Sequence, residues 1–187
     1  MLWLLEELGV PFDLTVMSRE DKQTAEYLVL HPLGRSPTLE EEGGPVFESA
    51  ALILHLADQN LDAGLIAPLG SHERALQYQW CFFAMTDMEG ALMDIARQLW
   101  KDSGEPDTTV VDHAAARFVR TAGAIEAALG GADYLVGNAF SVADIVVGSV
   151  LGFARTGELT ELPAGVVAYV DRLDARPARQ RAVAVAA

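Results

Sequence analysis

Cysteine is nearly absent from this sequence, and positive charge is scarce. A single thiol, Cys81, in 187 residues excludes an internal disulfide and suits a reducing compartment, so a cytoplasmic location is expected. Thirteen Lys and Arg stand against 27 Asp and Glu, a formal net charge of −14. A chain this acidic repels phosphate backbones and anionic headgroups, which argues against nucleic acid and membrane surfaces as partners. No stretch of eighteen residues is free of charge, so nothing reads as a membrane span. A basic leader is lacking too, because the opening MLWLLEEL carries Glu6 and Glu7. His31, His55, His72 and His113 share no ligand spacing, and no metal is expected. Apolar side chains are plentiful, at 51% of residues, enough for one large or two small domains.

The informative stretch is residues 31–50, HPLGRSPTLEEEGGPVFESA. Pro37 opens a short strand, TLEE, at a position where a missing N–H does not weaken the ladder. Gly43-Gly44 is a hairpin turn signal and Pro45-Val46-Phe47 a return strand. Glu48-Ser49 then precede an apolar helical run from Ala50, where Ser49 is expected to cap the helix. A helix start has free N–H groups and a positive dipole end, which suit an anionic group on a small ligand. A bend fixed by proline and an anion-ready helix start thus flank one hairpin.

The order His31-Pro32-Leu33-Gly34-Arg35-Ser36-Pro37, hairpin, Glu48-Ser49 resembles the glutathione-binding half-site of the glutathione transferase family. The family pattern is Asn-Pro-x-Gly-Lys-x-Pro, a hairpin and Glu/Gln-Ser. The resemblance implies a cis Pro37, with Ser36 offering its backbone to the cysteinyl part of glutathione in strand-like pairing. It implies that Glu48 and Ser49 hold the γ-glutamyl end. Arg35 is a candidate partner for the glycine carboxylate, with simple exposure to solvent as the equal alternative. His31 stands in place of the family's Asn, as a turn residue rather than a catalyst. Glu40-Glu41-Glu42 reads as a solvated hairpin.

Residues 140–153, FSVADIVVGSVLGF, supply a second match. Ser141 and Asp144 have capping-box spacing ahead of a helix that is apolar all round and therefore central. This resembles the capping box of the family's all-helical second domain, whose role is folding. Elsewhere, residues 1–8 read as a helix ended by Gly9 and residues 12–17 as a strand. Residues 18–30 read as a helix stopped by His31-Pro32, residues 50–59 as another, and residues 60–70 as a linker. A long helix is expected over residues 71–101, with a stripe at Leu76, Trp80, Phe83, Asp87, Ala91 and Ile95. Further helices are expected over residues 107–129, 164–173 and 177–185. Cys81, beside Trp80 and Phe82, is expected to be a buried, inert thiol. Asp87 interrupts its stripe. The family places this helix beside the cleft and the subunit interface, where the carboxylate faces either a neighbouring subunit's ligand or water.

By resemblance the fold is α/β plus all-α. A thioredoxin-like N-terminal domain, without its first strand, occupies residues 1–60, and an all-helical C-terminal domain occupies residues 71–187. In the family a strand and a loop bearing the catalytic Ser, Tyr or Cys precede the first helix. This sequence starts at the helix, either as a natural short form or as a chain lacking that segment, so no catalytic residue is assigned. The Leu2/Leu5/Leu8 face is accordingly expected to be poorly covered. The implied activity is that of a homodimeric detoxification transferase with glutathione as co-substrate and a small electrophile as second substrate. Its glutathione site would be Arg35, Ser36, Pro37, Glu48 and Ser49. The alternative is a non-catalytic glutathione-transferase-like binding or assembly module. Retention of Pro37, Glu48 and Ser49 favours the first, and the unassigned catalytic loop the second.

Overall fold

Four of the described helices begin where a side chain, from Thr24, Ser71, Asp107 or Ser141, caps them. In the computed structural model, which describes residues 1–186, α1 (Leu2–Leu8) ends at Gly9, in the left-handed conformation that glycine adopts freely. Thr24 caps α2 (Ala25–Leu30), its hydroxyl accepting from the Tyr27 N–H. β1 (Thr38–Glu41) and β2 (Gly44–Phe47) pair antiparallel, with Thr38 opposite Phe47 and Glu41 opposite Gly44. They are the whole sheet among the described residues. α3 (Ser49–Gln59) follows, turning Leu52, Ile53 and Leu56 inward.

The rest is helical. α4 (His72–Phe83) runs through a π-helical turn (Ala84–Met88) into α5 (Glu89–Leu99). Asp107 caps α6 (Thr108–Leu129) by accepting from the N–H groups of Thr109 and Val110. α7 (Val142–Thr156), α8 (Ala164–Asp174) and α9 (Pro177–Ala186) complete the chain. α7 is the central helix, as its composition predicts, with Val142, Ile145, Val147 and Leu151 fully buried. Gly148 lets it approach its neighbours. A Cβ there would lie 2.4 Å from Leu173 Cδ1 and 3.3 Å from the Trp3 ring. No helix among the described residues is long and apolar enough to cross a membrane.

The capping box of α7 is present and does more than cap. Asp144 is completely buried. Its Oδ2 accepts from the Ser141 N–H at 2.9 Å and hydroxyl at 3.1 Å, its Oδ1 from the Leu135 N–H at 3.0 Å and the Tyr169 hydroxyl at 2.8 Å. One side chain thus ties the preceding loop and α8 to the start of α7. Burial pushes its carboxyl above the usual range, while the four donors pull it back.

Four expectations need correction. On the Leu2/Leu5/Leu8 face of α1, Leu5 is buried and Leu2 and Leu8 are half-buried against the core; Trp3 and Leu4 are buried too, and α9 packs against the helix. Glu7 binds Arg176 through both carboxylate oxygens at 2.6 and 2.9 Å, and the Arg176 guanidinium lies 3.4 Å from the centre of the Phe140 ring. Residues 12–17 are not a strand. No described strand lies beside them to complete a ladder, and Val16 points to solvent. Residues 18–30 divide into a 3-10 turn at Asp21–Gln23 and α2, because Thr24 starts the second helix afresh. The stripe expected over residues 71–101 is one position early at Leu76, Trp80, Phe83 and Asp87, whereas Ala91 and Ile95 are buried as expected. α4 buries Arg74, Gln77 and Cys81, and Ala84, Met88, Ala91 and Ile95 continue that face at the same spacing through the π-helical turn into α5. Arg74 is held by the Ala67 carbonyl at 2.8 Å, the Tyr78 hydroxyl at 2.7 Å and Asp58, which fastens α3 and the linker to α4.

Candidate functional site

The loop before β1 is pinned at both ends. Gly34 has φ +57° and donates its N–H to the His31 carbonyl at 2.9 Å. A Cβ there would lie 2.4 Å from the Lys22 carbonyl oxygen, so only glycine fits. His31 is 3% exposed. Its Nδ1 accepts from the Leu33 N–H at 3.2 Å, and its ring lies 4.7 Å from that of Phe47. It is thus a turn residue packed on the hairpin. At the other end the Tyr27 hydroxyl donates to the Arg35 carbonyl at 2.7 Å and lies 3.1 Å from Thr38 Oγ1. Sequence reasoning missed this clamp, because a tyrosine in a short helix carries no mark of it. The loop presents Arg35 and Ser36 exposed and Pro37 half-buried, across a cis Ser36–Pro37 peptide.

α3 opens one residue earlier than expected. The Glu48 carbonyl accepts from the Leu52 N–H at 3.0 Å and closes the first turn, so Glu48 is the N-cap and Ser49 the first helical residue. Ser49 therefore does not cap, and no side chain does. Glu48 has φ 74°, a conformation that costs a non-glycine residue about 1–3 kcal/mol. The first N–H groups of α3 are left without an intramolecular side-chain acceptor, at a point where Glu48 is exposed and Ser49 half-buried.

Ser49 also lines a cavity of about 90 Å³ between α3, the π-helical turn and α7. Its walls are largely apolar, from Met1, Ile53, Met85, Val146, Val150 and Phe153. Two further polar residues reach it. The Ser149 hydroxyl donates to the Ile145 carbonyl at 2.7 Å, and Glu89 stands at the start of α5. Burial and the charge of Glu48 push the Glu89 carboxyl above its usual range, and Arg35 acts in the opposite sense. Arg35, Glu48, Ser49 and Glu89 therefore belong to one corner of the molecule. Asp87 is exposed and accepts from the Thr86 hydroxyl at 2.8 Å. Glu89, two residues on, carries no mark in the sequence, because its place on the cavity depends on α3 and α7 packing around it. Cys81 is fully buried against the Val142 carbonyl, its thiol pushed up to about 12 by burial, and is inert. Among the described residues no three His, Cys, Asp or Glu side chains gather as a metal site.

Both halves of the chain match known sequence families. The glutathione S-transferase N-terminal domain family matches residues 1–59 and the C-terminal domain family residues 108–181. Elongation factor 1-gamma 2 of Oryza sativa subsp. japonica is 35% identical over 139 residues, covering 71% of this chain and 32% of its own length. The chain spans about a third of such relatives. Glutathione S-transferase hmp2 of Hypomyces subiculosus is 30% identical over 154 residues, covering 78% of this chain and 72% of that protein. The theta class glutathione S-transferase from Xanthomonas axonopodis pv. citri, solved with glutathione bound, superposes with a TM-score of 0.84 at 30% identity, over 97% of this chain and 89% of that one. With both halves matched in order, and one relative aligned over most of its own length, this chain belongs to the glutathione S-transferase family.

Proposed function

We propose that the protein is a glutathione transferase. In this reading glutathione lies along Arg35, Ser36, Pro37, Glu48 and Ser49, and its sulfur joins a small electrophile in the cleft beside α5. The observation that carries the reading is the start of α3. Side chains of Thr24, Ser71, Asp107 and Ser141 cap four other helices. α1, α5 and α8 also lack a side-chain cap, but among the described helices α3 alone opens on a non-glycine residue at positive φ, and it does so at the rim of a cleft. Free N–H donors and the Ser49 hydroxyl suit the carboxylate of a γ-glutamyl group, and Glu48 suits its ammonium. Ser36 offers main-chain groups to a cysteinyl backbone, and Arg35 a fork for a terminal carboxylate.

The reaction forms a sulfur–carbon bond while the electrophile's leaving group departs with its electron pair or its double bond accepts one. The attacking species is the thiolate, whose free pKa is near 8.5, so the thiol proton leaves first. We assign no residue to lowering that pKa. The Tyr27 hydroxyl is spent on the Arg35 carbonyl and that of Ser149 on the Ile145 carbonyl. The test pairs calorimetric titration of glutathione with a conjugation assay on a general electrophile. Saturable binding with glutathione-dependent turnover is expected, and absence of binding overturns the reading.

A second reading, a non-catalytic binding or assembly module, is supported by relatives that carry the name elongation factor 1-gamma. Glutathione binding without turnover would select it. We further propose a cytoplasmic homodimer with a glutathione-binding domain over residues 1–60 and an all-α domain over residues 71–187. Sedimentation equilibrium at micromolar concentration tests the dimer, and a monomer mass would refute it.

A further inference from the structure

The cleft contains a carboxylate that the glutathione site leaves unused. Met85 and Glu89 stand four residues apart across the end of the π-helical turn and face the same cavity. Around them the walls are apolar, and Ser149 has already spent its proton. Glu89 is the one charged side chain on that wall. We propose that Glu89 sets the charge preference of the second-substrate pocket: it admits an apolar molecule bearing a cationic, hydrogen-bond-donating group and refuses the corresponding carboxylate. The inference rests on the reading of this cleft as the site of the second substrate.

Three observations carry it. Glu89 is half removed from water, and among the described residues no hydrogen bond or ion pair satisfies it. Its charged neighbours are Glu48, which adds negative potential, and Arg35, which offsets part of it. Met1 lines the same cavity, but burial lowers the pKa of its α-amino group to about 6, so that group is largely uncharged at neutral pH. The ionised carboxyl thus lacks a full counterion in a site where apolar walls lower the local dielectric and strengthen any charge pairing. A ligand ammonium would supply that counterion, whereas a ligand carboxylate would meet two like charges. Rejection by like charge is an economical source of specificity.

The test uses the whole chain with benzylammonium, benzyl alcohol and benzoate as probes, titrated calorimetrically with and without saturating glutathione. Wild type is expected to bind benzylammonium at least about tenfold more tightly than benzoate. Glu89→Gln should bring that ratio to within about twofold of unity, and Asp87→Asn should leave it as in wild type. The proposal is overturned by any of three results: no probe binds, wild type shows no preference, or the ratio survives in Glu89→Gln. It is equally overturned if Glu89→Gln weakens only glutathione, since Glu89 would then serve the peptide. A cation preference that depends on Glu89 in a protein unable to bind glutathione would sustain this inference and defeat the transferase reading.

Discussion

α7 and α3 both begin with an acidic residue and a serine, and they use them in opposite ways. At α7, Ser141 and Asp144 turn inward, and Asp144 takes four donors in complete burial. Nothing is left for a ligand. At α3, Glu48 is exposed at φ 74° and no side chain reaches the first N–H groups. Polar groups that satisfy one another hold a fold together, because a buried group without a partner loses about 1–3 kcal/mol. Polar groups left open on a rim, with backbone strain beside them, are available to something else. The first arrangement belongs to stability and the second to binding.

The largest effect is expected from breaking the closed start. Asp144→Ala strands the Tyr169 hydroxyl and two backbone N–H groups, at a cost of about 3 kcal/mol or more. Thermal unfolding should show Tm lower by roughly 10 °C, with glutathione affinity of the folded protein unchanged. A shift below about 2 °C would mean that the box is a local cap and nothing more.

The open start should respond the other way. Ser49→Ala is expected to weaken glutathione by about ten- to a hundredfold, the worth of hydrogen bonds to a charged group, with little change in Tm. Glu48→Gly sharpens the contrast. It should weaken glutathione similarly yet stabilise the chain by about 1 kcal/mol, since glycine adopts φ 74° without strain. Calorimetry and urea unfolding on the same variants read both quantities. A Glu48→Gly protein that loses stability would remove strain from the account.

A third region calibrates the other two. Arg176→Met severs the paired bonds to Glu7 and the stacking on Phe140, and should cost about 1–2 kcal/mol in urea unfolding. Equal stability would show that α1 is held by its buried Trp3 and Leu4 alone.

The smallest effect is a pH dependence. The Glu89 carboxyl is pushed up by burial and by Glu48, so the folded state holds its proton to higher pH than the unfolded chain does. Its ionisation therefore costs nothing below the unfolded range near pH 4, and destabilises the fold as pH rises through the raised value. Glu89→Gln should match wild type near pH 4 and melt above it at pH 7. The reverse pattern in paired melts would contradict the environment assigned to Glu89.

Local devices were legible in the sequence. Gly9 and the Ser141/Asp144 spacing marked their helix ends because a cap is a matter of one turn. Pro37 and Gly43-Gly44 fixed the hairpin for the same reason. Readings that depend on distant partners failed. Residues 12–17 have strand composition, but a strand exists only with a neighbour to pair with. Coverage of α1 comes from α9 and from Arg176 just before it, 169 residues from its partner Glu7. In α5 the expected Ala91 and Ile95 do face the core. Through α4 the stripe lies one position early, because Arg74 and Gln77 are buried by partners in the linker and α3 that their polar side chains do not advertise. Within the candidate site the residue types could be read directly. The positive φ of Glu48 could not, because only the assembled hairpin and helix impose it.

One measurement bears most directly on the contrast between the two helix starts: amide chemical shifts of the nitrogen-15-labelled chain titrated with glutathione. The expected result is saturable movement of the Ser36, Ser49 and Ala50 amides, with Ser141 and Asp144 unmoved. Shifts centred on the start of α7, or no saturable shift at the start of α3, would contradict the account.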